Sequence, residues 1–185
     1  VQDFAMEFKV GRGDVAFAGY SLFFTEGSGI YRGNYLMSNE DIEAELTKWV
    51  SVDYLKWIRE EIANFLRENV AKVYNGFVGV DMFVYRETNI GGEGGVEYRV
   101  NPVVEFNLRM TMGMVARVIY DRCVQKGVRG MFTIDHLPPG QLLMDHKIQL
   151  EENPIVIENG RFKKGYFSLC PITDNTVYRA CISLT

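Results

Sequence analysis

The chain has 185 residues, enough for one globular domain or a domain with a small appendage, and 47% hydrophobic against 24% charged residues suits a chain that buries a sizeable core. Twenty basic against twenty-four acidic side chains leave a net charge of −4 and a pI near 5.3. That balance excludes a broad cationic face for a nucleic-acid backbone, so an anionic ligand must be met by a few local positive groups or by metal ions.

Cys123, Cys170 and Cys181 are odd in number and lack a Cys-x-x-Cys spacing, which argues against a disulfide framework and a zinc site and predicts the reduced thiols of a cytoplasmic protein. No apolar run approaches the roughly 20 residues that span a bilayer, and the first seven residues have neither a basic start nor a continuous apolar stretch. No membrane association is expected. The chain begins without Met and directly inside an alternating pattern, so an upstream portion of the natural protein is expected.

From Asp3 to Val10, Phe4, Met6, Phe8 and Val10 alternate with Asp3, Ala5, Glu7 and Lys9, the period of a half-buried strand that puts Glu7 on its polar face. Gly11-Arg12-Gly13-Asp14 reads as a tight reversal into a second strand, Val15 to Phe24. Thr25 to Asn34 is rich in glycine and reads as a loop carrying Arg32. Ser38, with Glu40 and Asp41 in the next turn, predicts the start of a short helix that runs to Val50. From Val52 to Val73, Leu55, Ile58, Ile62, Phe65, Leu66 and Val73 recur at mostly three- and four-residue steps opposite charged residues, which predicts a long amphipathic helix.

Two strands, Phe77 to Arg86 and Val96 to Arg109, flank a loop with Gly91-Gly92-Glu93-Gly94-Gly95 that reads as a hairpin tip. That run lacks the Lys-Ser/Thr and helix start of a phosphate cradle. A helix from Met112 to Lys126 follows, with Gly127 as its C-terminal cap and Cys123 in its core face. Beyond it, Gly130 to Asp135, Pro154 to Glu158, Tyr166 to Cys170 and Tyr178 to Leu184 read as strands. His136 and His146 each follow an Asp, but neither has ligand spacing around it, so structural or surface roles are expected. The architecture expected is α+β: an antiparallel sheet on two long helices, with a core portion over residues 1–128 and a small β-rich extension over 129–185.

The chemistry concentrates in Val103-Val104-Glu105-Phe106-Asn107-Leu108-Arg109, where Glu105, Asn107 and Arg109 share one strand face. Asp81, in the preceding strand, can face the Glu105 region by antiparallel pairing. Glu105 and Arg109 stand about 13 Å apart along the strand, too far for a direct ion pair without stretching. Two carboxylates about 4 Å apart repel by roughly 4 kcal/mol at an effective dielectric near 20. A cation between them is therefore expected, and carboxylate and amide oxygens suit Mg²⁺, with Mn²⁺ as a substitute.

Glu105-Phe106-Asn107-Leu108-Arg109, a Glu-x-Asn-x-Arg at a strand end, with Gly79-Val80-Asp81-Met82-Phe83 as its hairpin partner, resembles the magnesium-binding core of the ATP-grasp superfamily. The resemblance covers about Val1 to Gln125, including Asp3 to Phe8, which looks like the strand after the family's adenine-binding segment. It implies the C-terminal half of an ATP-grasp fold. It also implies Glu105, Asn107 and Asp81 as metal ligands, Arg109 as a catalytic contact to phosphate or acyl phosphate, and Glu7 and Arg32 as nucleotide or substrate contacts.

The activity implied is an ATP- and Mg²⁺-dependent ligase that activates a small-molecule carboxylate for attack by an amine or other nucleophile, in a protein that can be a homodimer. Leu108 stands where the family has proline or threonine. The family's phosphate-binding lysines and lid lie upstream of Glu7, so this chain alone is not expected to turn over ATP. The alternative is a non-catalytic nucleotide-binding or assembly module on the same scaffold. A kinase-like phosphotransferase is a further rival.

Overall fold

The computed structural model describes residues 2–27, 29–88 and 96–185; the predicted hairpin tip at Gly91 to Gly95 lies outside them. The chain divides into two compact units that interleave in sequence instead of meeting at one point near residue 128. The first comprises residues 1–22 and 39–115 and the second residues 23–38 and 116–185.

In the first unit, β1 (Gln2–Gly11), β2 (Asp14–Thr25), β4 (Gly76–Thr88) and β5 (Val96–Asn107) form antiparallel pairs in the order β5-β4-β1-β2. Arg12 and Gly13, at φ 55° and 77°, make the β1–β2 reversal with both central residues left-handed, the hairpin turn whose twist matches the flanking strands. Helix α1 (Asn39–Leu46) is shorter than its sequence suggests, whereas α2 (Val52–Asn69) is capped by Ser51, whose Oγ accepts from the Tyr54 N–H at 3.2 Å.

The buried stripe of α2, Leu55, Ile58, Ile62 and Leu66, packs toward β1, and the core holds Phe4, Met6, Phe8, Val78, Val80, Met82 and Val84. β1 is not the half-buried strand that its alternation predicts. Through its middle this central strand is covered on both faces, Ala5 and Glu7 being as buried as the apolar set, while Asp3 is half-buried and Lys9 is exposed.

In the second unit, β3 (Tyr31–Leu36) takes up residues 31–34, the end of the stretch expected to be a glycine-rich loop, pairing with the last residues of β2 on one side and with β6 (Gly130–His136) on the other. Gly33 accounts for the difference, because a Cβ there would collide with the Phe132 backbone carbonyl; glycine here permits close strand approach. The order continues β3-β6-β9-β8-β7 through β9 (Tyr178–Leu184), β8 (Arg161–Ser168) and β7 (Val156–Glu158).

Helix α3 (Met112–Cys123) begins in the first unit and continues in the second, where Arg161 donates to the carbonyls of Asp121 and Val124 at 2.9 Å and so caps its C-terminal end. Gly127 follows at φ 84°, as its position predicts. Cys123 is half-buried instead of core.

The expected β-rich extension contains a helix, α4 (Gln141–Glu152), that packs on β8. Arg179 of β9, 6% exposed, anchors it: the guanidinium lies 2.6 Å from both Asp135, its register partner on β6, and Asp145 of α4. His146 shares a 2.9 Å hydrogen bond with the Tyr166 hydroxyl, and His136 stacks on Tyr178 at 4.4 Å between ring centroids. Both histidines make structural contacts. No helix among the described residues is long and apolar enough to cross a membrane.

Candidate functional site

The β4–β5 hairpin brings Asp81 and Glu105 together as direct register partners. This pairing depends on an irregularity. Phe83 faces Asn101 and Asp81 faces Glu105, so Pro102, Val103 and Val104 all stand opposite Met82. Unbroken pairing from Phe83 would bring Asp81 to Val103. The two extra residues move the partner to Glu105 and, because side chains alternate with period two, keep it on the same face. The bulge falls on β5, at the end of the first unit's strand order, where Pro102 has no N–H to forfeit and Val104 is 55% exposed.

Two residues on, Asn107 sits 7% exposed with its amide turned toward both acids. Its Nδ2 donates to Asp81 Oδ2 at 3.1 Å and to Glu105 Oε2 at 3.3 Å, while its Oδ1 accepts from Arg109 Nη2 at 3.1 Å. Arg109 itself is exposed, and its backbone N–H donates to the Asn107 carbonyl at 2.8 Å. The structure thus brings Asp81, Glu105, Asn107 and Arg109 into one hydrogen-bonded group, with no direct Glu105–Arg109 bond needed to hold it.

Burial, and after it the charge of Glu105, raises the Asp81 pKa, against the Asn107 hydrogen bond and the Arg109 charge; Asp3 adds to the rise. The group carries more negative charge than its own donors neutralise. Among the described residues no three His, Cys, Asp or Glu side chains cluster in a metal-holding arrangement. The donor set here is two carboxylates and an amide, whose hard oxygens suit a magnesium ion that keeps waters or phosphate oxygens as its remaining ligands.

Glu7 lies in the same sheet but not on an open polar face. It is 0% exposed, its Oε1 accepts from Ser21 Oγ at 3.1 Å, and both of its oxygens lie 2.9 Å from Thr111 Oγ1. Gly79 and Gly113 leave the space it fills: a Cβ at Gly79 would come within 2.9 Å of Glu7 Oε2, and one at Gly113 would collide with Glu7 Oε1 and Ser21 Oγ. Desolvation drives its pKa up to about 7 against the lowering effect of the two hydroxyls. A carboxyl so enclosed is not presented to a nucleotide.

Arg32 is also placed differently from its expectation. It lies on β3 in the second unit, ion-paired with Glu26. The sequence pattern does not mark Thr111 and Ser21 as part of the site. A Thr just before a predicted helix at Met112 is a capping signal, and Thr111 Oγ1 indeed accepts the Met114 N–H at 2.9 Å. Its bond to Glu7, 104 residues away, has no local sequence mark.

No protein-family model and no curated protein sequence matches the chain. Its similarities are to solved structures. Over its whole length it is similar to 46% of a protein from Archaeoglobus fulgidus provisionally assigned to the ATP-grasp superfamily, at 15% identity and a TM-score of 0.46. It is likewise similar to 46% of N5-carboxyaminoimidazole synthase from Aspergillus clavatus, solved with ADP and an aminoimidazole ribonucleotide, at 13% identity and a TM-score of 0.47. N5-carboxyaminoimidazole synthetase from Staphylococcus aureus gives 12% identity over 46% of its chain and a TM-score of 0.46. The chain therefore spans less than half the length of each of these proteins.

Proposed function

We propose that this chain carries the metal- and phosphate-holding part of an ATP-dependent ligase of the ATP-grasp type, in which a carboxylate is activated as an acyl phosphate and then attacked by an amine or other nucleophile. The observation that carries the reading is the facing pair Asp81 and Glu105, joined by Asn107 and followed by the exposed Arg109. An acid pair gathered by a two-residue bulge and left with one neutral donor is arranged for a cation.

Asp81 and Glu105 would hold Mg²⁺ through carboxylate oxygens and Asn107 through Oδ1. Mg²⁺ supplies neutralisation of charge on phosphate oxygens. Asn107 has a second task on this reading: its amide presents either end, so a half-turn about its terminal bond exchanges N–H donation to the acids for an oxygen ligand. Arg109 has spare guanidinium donors beyond the one used on Asn107, suited to the oxygens of a transferring phosphoryl group or acyl phosphate. Arg32 pairs with Glu26 through one guanidinium nitrogen and keeps further donors for a ligand contact. Glu7 is assigned no direct contact.

The test begins with Mn²⁺ titration of the chain by electron paramagnetic resonance. Glu105→Ala and Asn107→Ala should each lose the tight site. In the gene's full-length product, ADP release should require Mg²⁺ and a carboxylate substrate, and both variants should abolish it. Nucleotide binding unchanged in both would favour a non-catalytic module, and a stable phosphorylated product in place of a ligated one would favour a phosphotransferase.

A further inference from the structure

Gly19, Glu7, Gly79 and Asn107 form one row across β2, β1, β4 and β5. Glu7 and Asn107 are its only side chains, on one sheet face and separated by the width of a strand, about 10 Å between their backbones. Thr111 fills the gap. A Cβ at Gly79 would run into the Thr111 methyl group, and the Thr111 hydroxyl reaches both Glu7 oxygens.

The turn from Asn107 to Thr111 is therefore held at two points on the same row: Asn107 against Asp81 of β4, and Thr111 against Glu7 of β1. Arg109 is in the middle of that turn. The Thr111 oxygen also accepts from Met114 in the first turn of α3, so one hydroxyl joins β1, the turn and the helix start.

A buried carboxyl is a costly way to fill a cavity, since it forfeits hydration that hydroxyl donors restore only in part. What Glu7 provides that an apolar side chain does not is a fixed acceptor for Thr111. We infer that Glu7 is a positioning residue: through Thr111 it fixes the Asn107–Thr111 turn and with it the aim of the Asn107 amide and the Arg109 guanidinium. The inference rests on the proposed metal site for its functional meaning but not for its structural content.

The test compares Thr111→Val, which keeps the shape and removes the hydroxyl, with Thr111→Ser, which keeps the hydroxyl, and with Glu7→Gln. Ile58→Val, in the α2 core, serves as a control for general destabilisation. Amide hydrogen exchange at Met114 reports the helix cap and at Arg109 the turn, while Mn²⁺ titration reports the acid pair. Thr111→Val should speed Arg109 exchange and weaken Mn²⁺ binding by roughly tenfold, the scale of one lost hydrogen bond, whereas Glu7→Gln, which keeps an acceptor oxygen for the Thr111 hydroxyl, should leave both near the parent values. Thr111→Ser should restore both, and Ile58→Val should leave Mn²⁺ binding at the parent value.

Parent-like Arg109 exchange in Thr111→Val, or faster exchange with unchanged Mn²⁺ affinity, would overturn the inference. If Glu7→Gln fails to fold, the two Thr111 variants decide. A parent chain that binds no Mn²⁺ would sink the metal reading on its own and leave Arg109 exchange to decide this one.

Discussion

Asp81 and Glu105 face each other across the β4–β5 ladder, and the single amide of Asn107 donates to both. Cross-strand partners have Cβ atoms roughly 5 Å apart, and like charges at that separation oppose pairing. The hairpin tolerates them because Glu105 is solvent-exposed and because the positive end of a buried amide dipole sits at the pair. A metal ion would relieve the same repulsion more completely.

Asp81→Asn should leave the cation-free chain as stable as the parent, or about 1 kcal/mol more stable, because it removes a half-buried charge beside Glu105. It should also remove the rise in melting temperature that Mg²⁺ is expected to give the parent. Calorimetry in EDTA and in excess Mg²⁺ measures both quantities. A variant that loses stability in EDTA yet keeps the Mg²⁺ rise would contradict the assignment of Asp81 as a ligand.

Asn107→Asp tests the bridging amide with the opposite sign. The side chain keeps its size but brings a third carboxylate and removes the N–H bonds to Asp81 and Glu105. In EDTA the loss should be about 1–3 kcal/mol, the cost of a buried polar group stripped of its partners. Mg²⁺ should recover more stability in this variant than in the parent, a difference that urea unfolding with and without the ion resolves.

The buried carboxyl of Glu7 makes stability fall as pH rises. Its folded pKa stands near 7 against an ordinary 4.5, so the folded chain holds the proton more tightly than the unfolded one. The contribution is complete below about pH 4.5 and is lost as pH climbs through about 7, a total on the order of 3 kcal/mol for a shift of this size. Subtracting the pH profile of Glu7→Gln from that of the parent isolates it. A difference flat across pH 4.5 to 7.5 would mean that Glu7 stays ionised throughout.

Gly113→Ala should reverse the usual effect of the exchange. In an ordinary helix position alanine gains up to about 1 kcal/mol over glycine, but here the new methyl would meet Glu7 Oε1 and Ser21 Oγ, both buried and engaged. A net loss of about 1–3 kcal/mol is expected, with Arg109 exchange rising as in Thr111→Val. Urea denaturation gives the sign directly, and a stabilised variant would show that the Glu7 enclosure has slack.

Sequence pattern carried further at this site than in the second unit, for physical reasons. Glu105 and Asn107 stand at alternate positions of β5, Arg109 follows in the turn just past it, and Asp81 lies in the hairpin partner, so period-two geometry places these side chains on one face while the exact pairing of Asp81 with Glu105 comes from the bulge. The bulge at Pro102 to Val104 and the bond from Thr111 to Glu7 are invisible to local pattern, because each depends on a partner strand. The burial of Glu7 is hidden for the same reason: alternation reports two faces, not which of them another element covers. In the second unit, the helix that follows Pro138-Pro139-Gly140 lacks an apolar stripe. Of its large apolar residues Leu142 is fully buried, whereas Met144 is 67% exposed and Ile148 and Leu150 are exposed as well.

Helix α4 is therefore held largely by polar contacts, which gives the second unit its own test. Arg179 is almost fully buried between Asp135 and Asp145 and lies 5.3 Å from the centre of the Tyr166 ring, whose hydroxyl bonds His146 of α4. Arg179→Met keeps much of the apolar stem and removes the charge. Breaking a buried ion pair typically costs about 3–5 kcal/mol, but both acids here reach water, so about 2 kcal/mol is expected. The loss should concentrate in α4: amide exchange across residues 141–152 should quicken ahead of β6 and β9, whose ladder does not depend on the guanidinium. Uniform loosening of the whole unit would mean that Arg179 supports the sheet core and that α4 is held by Leu142 instead.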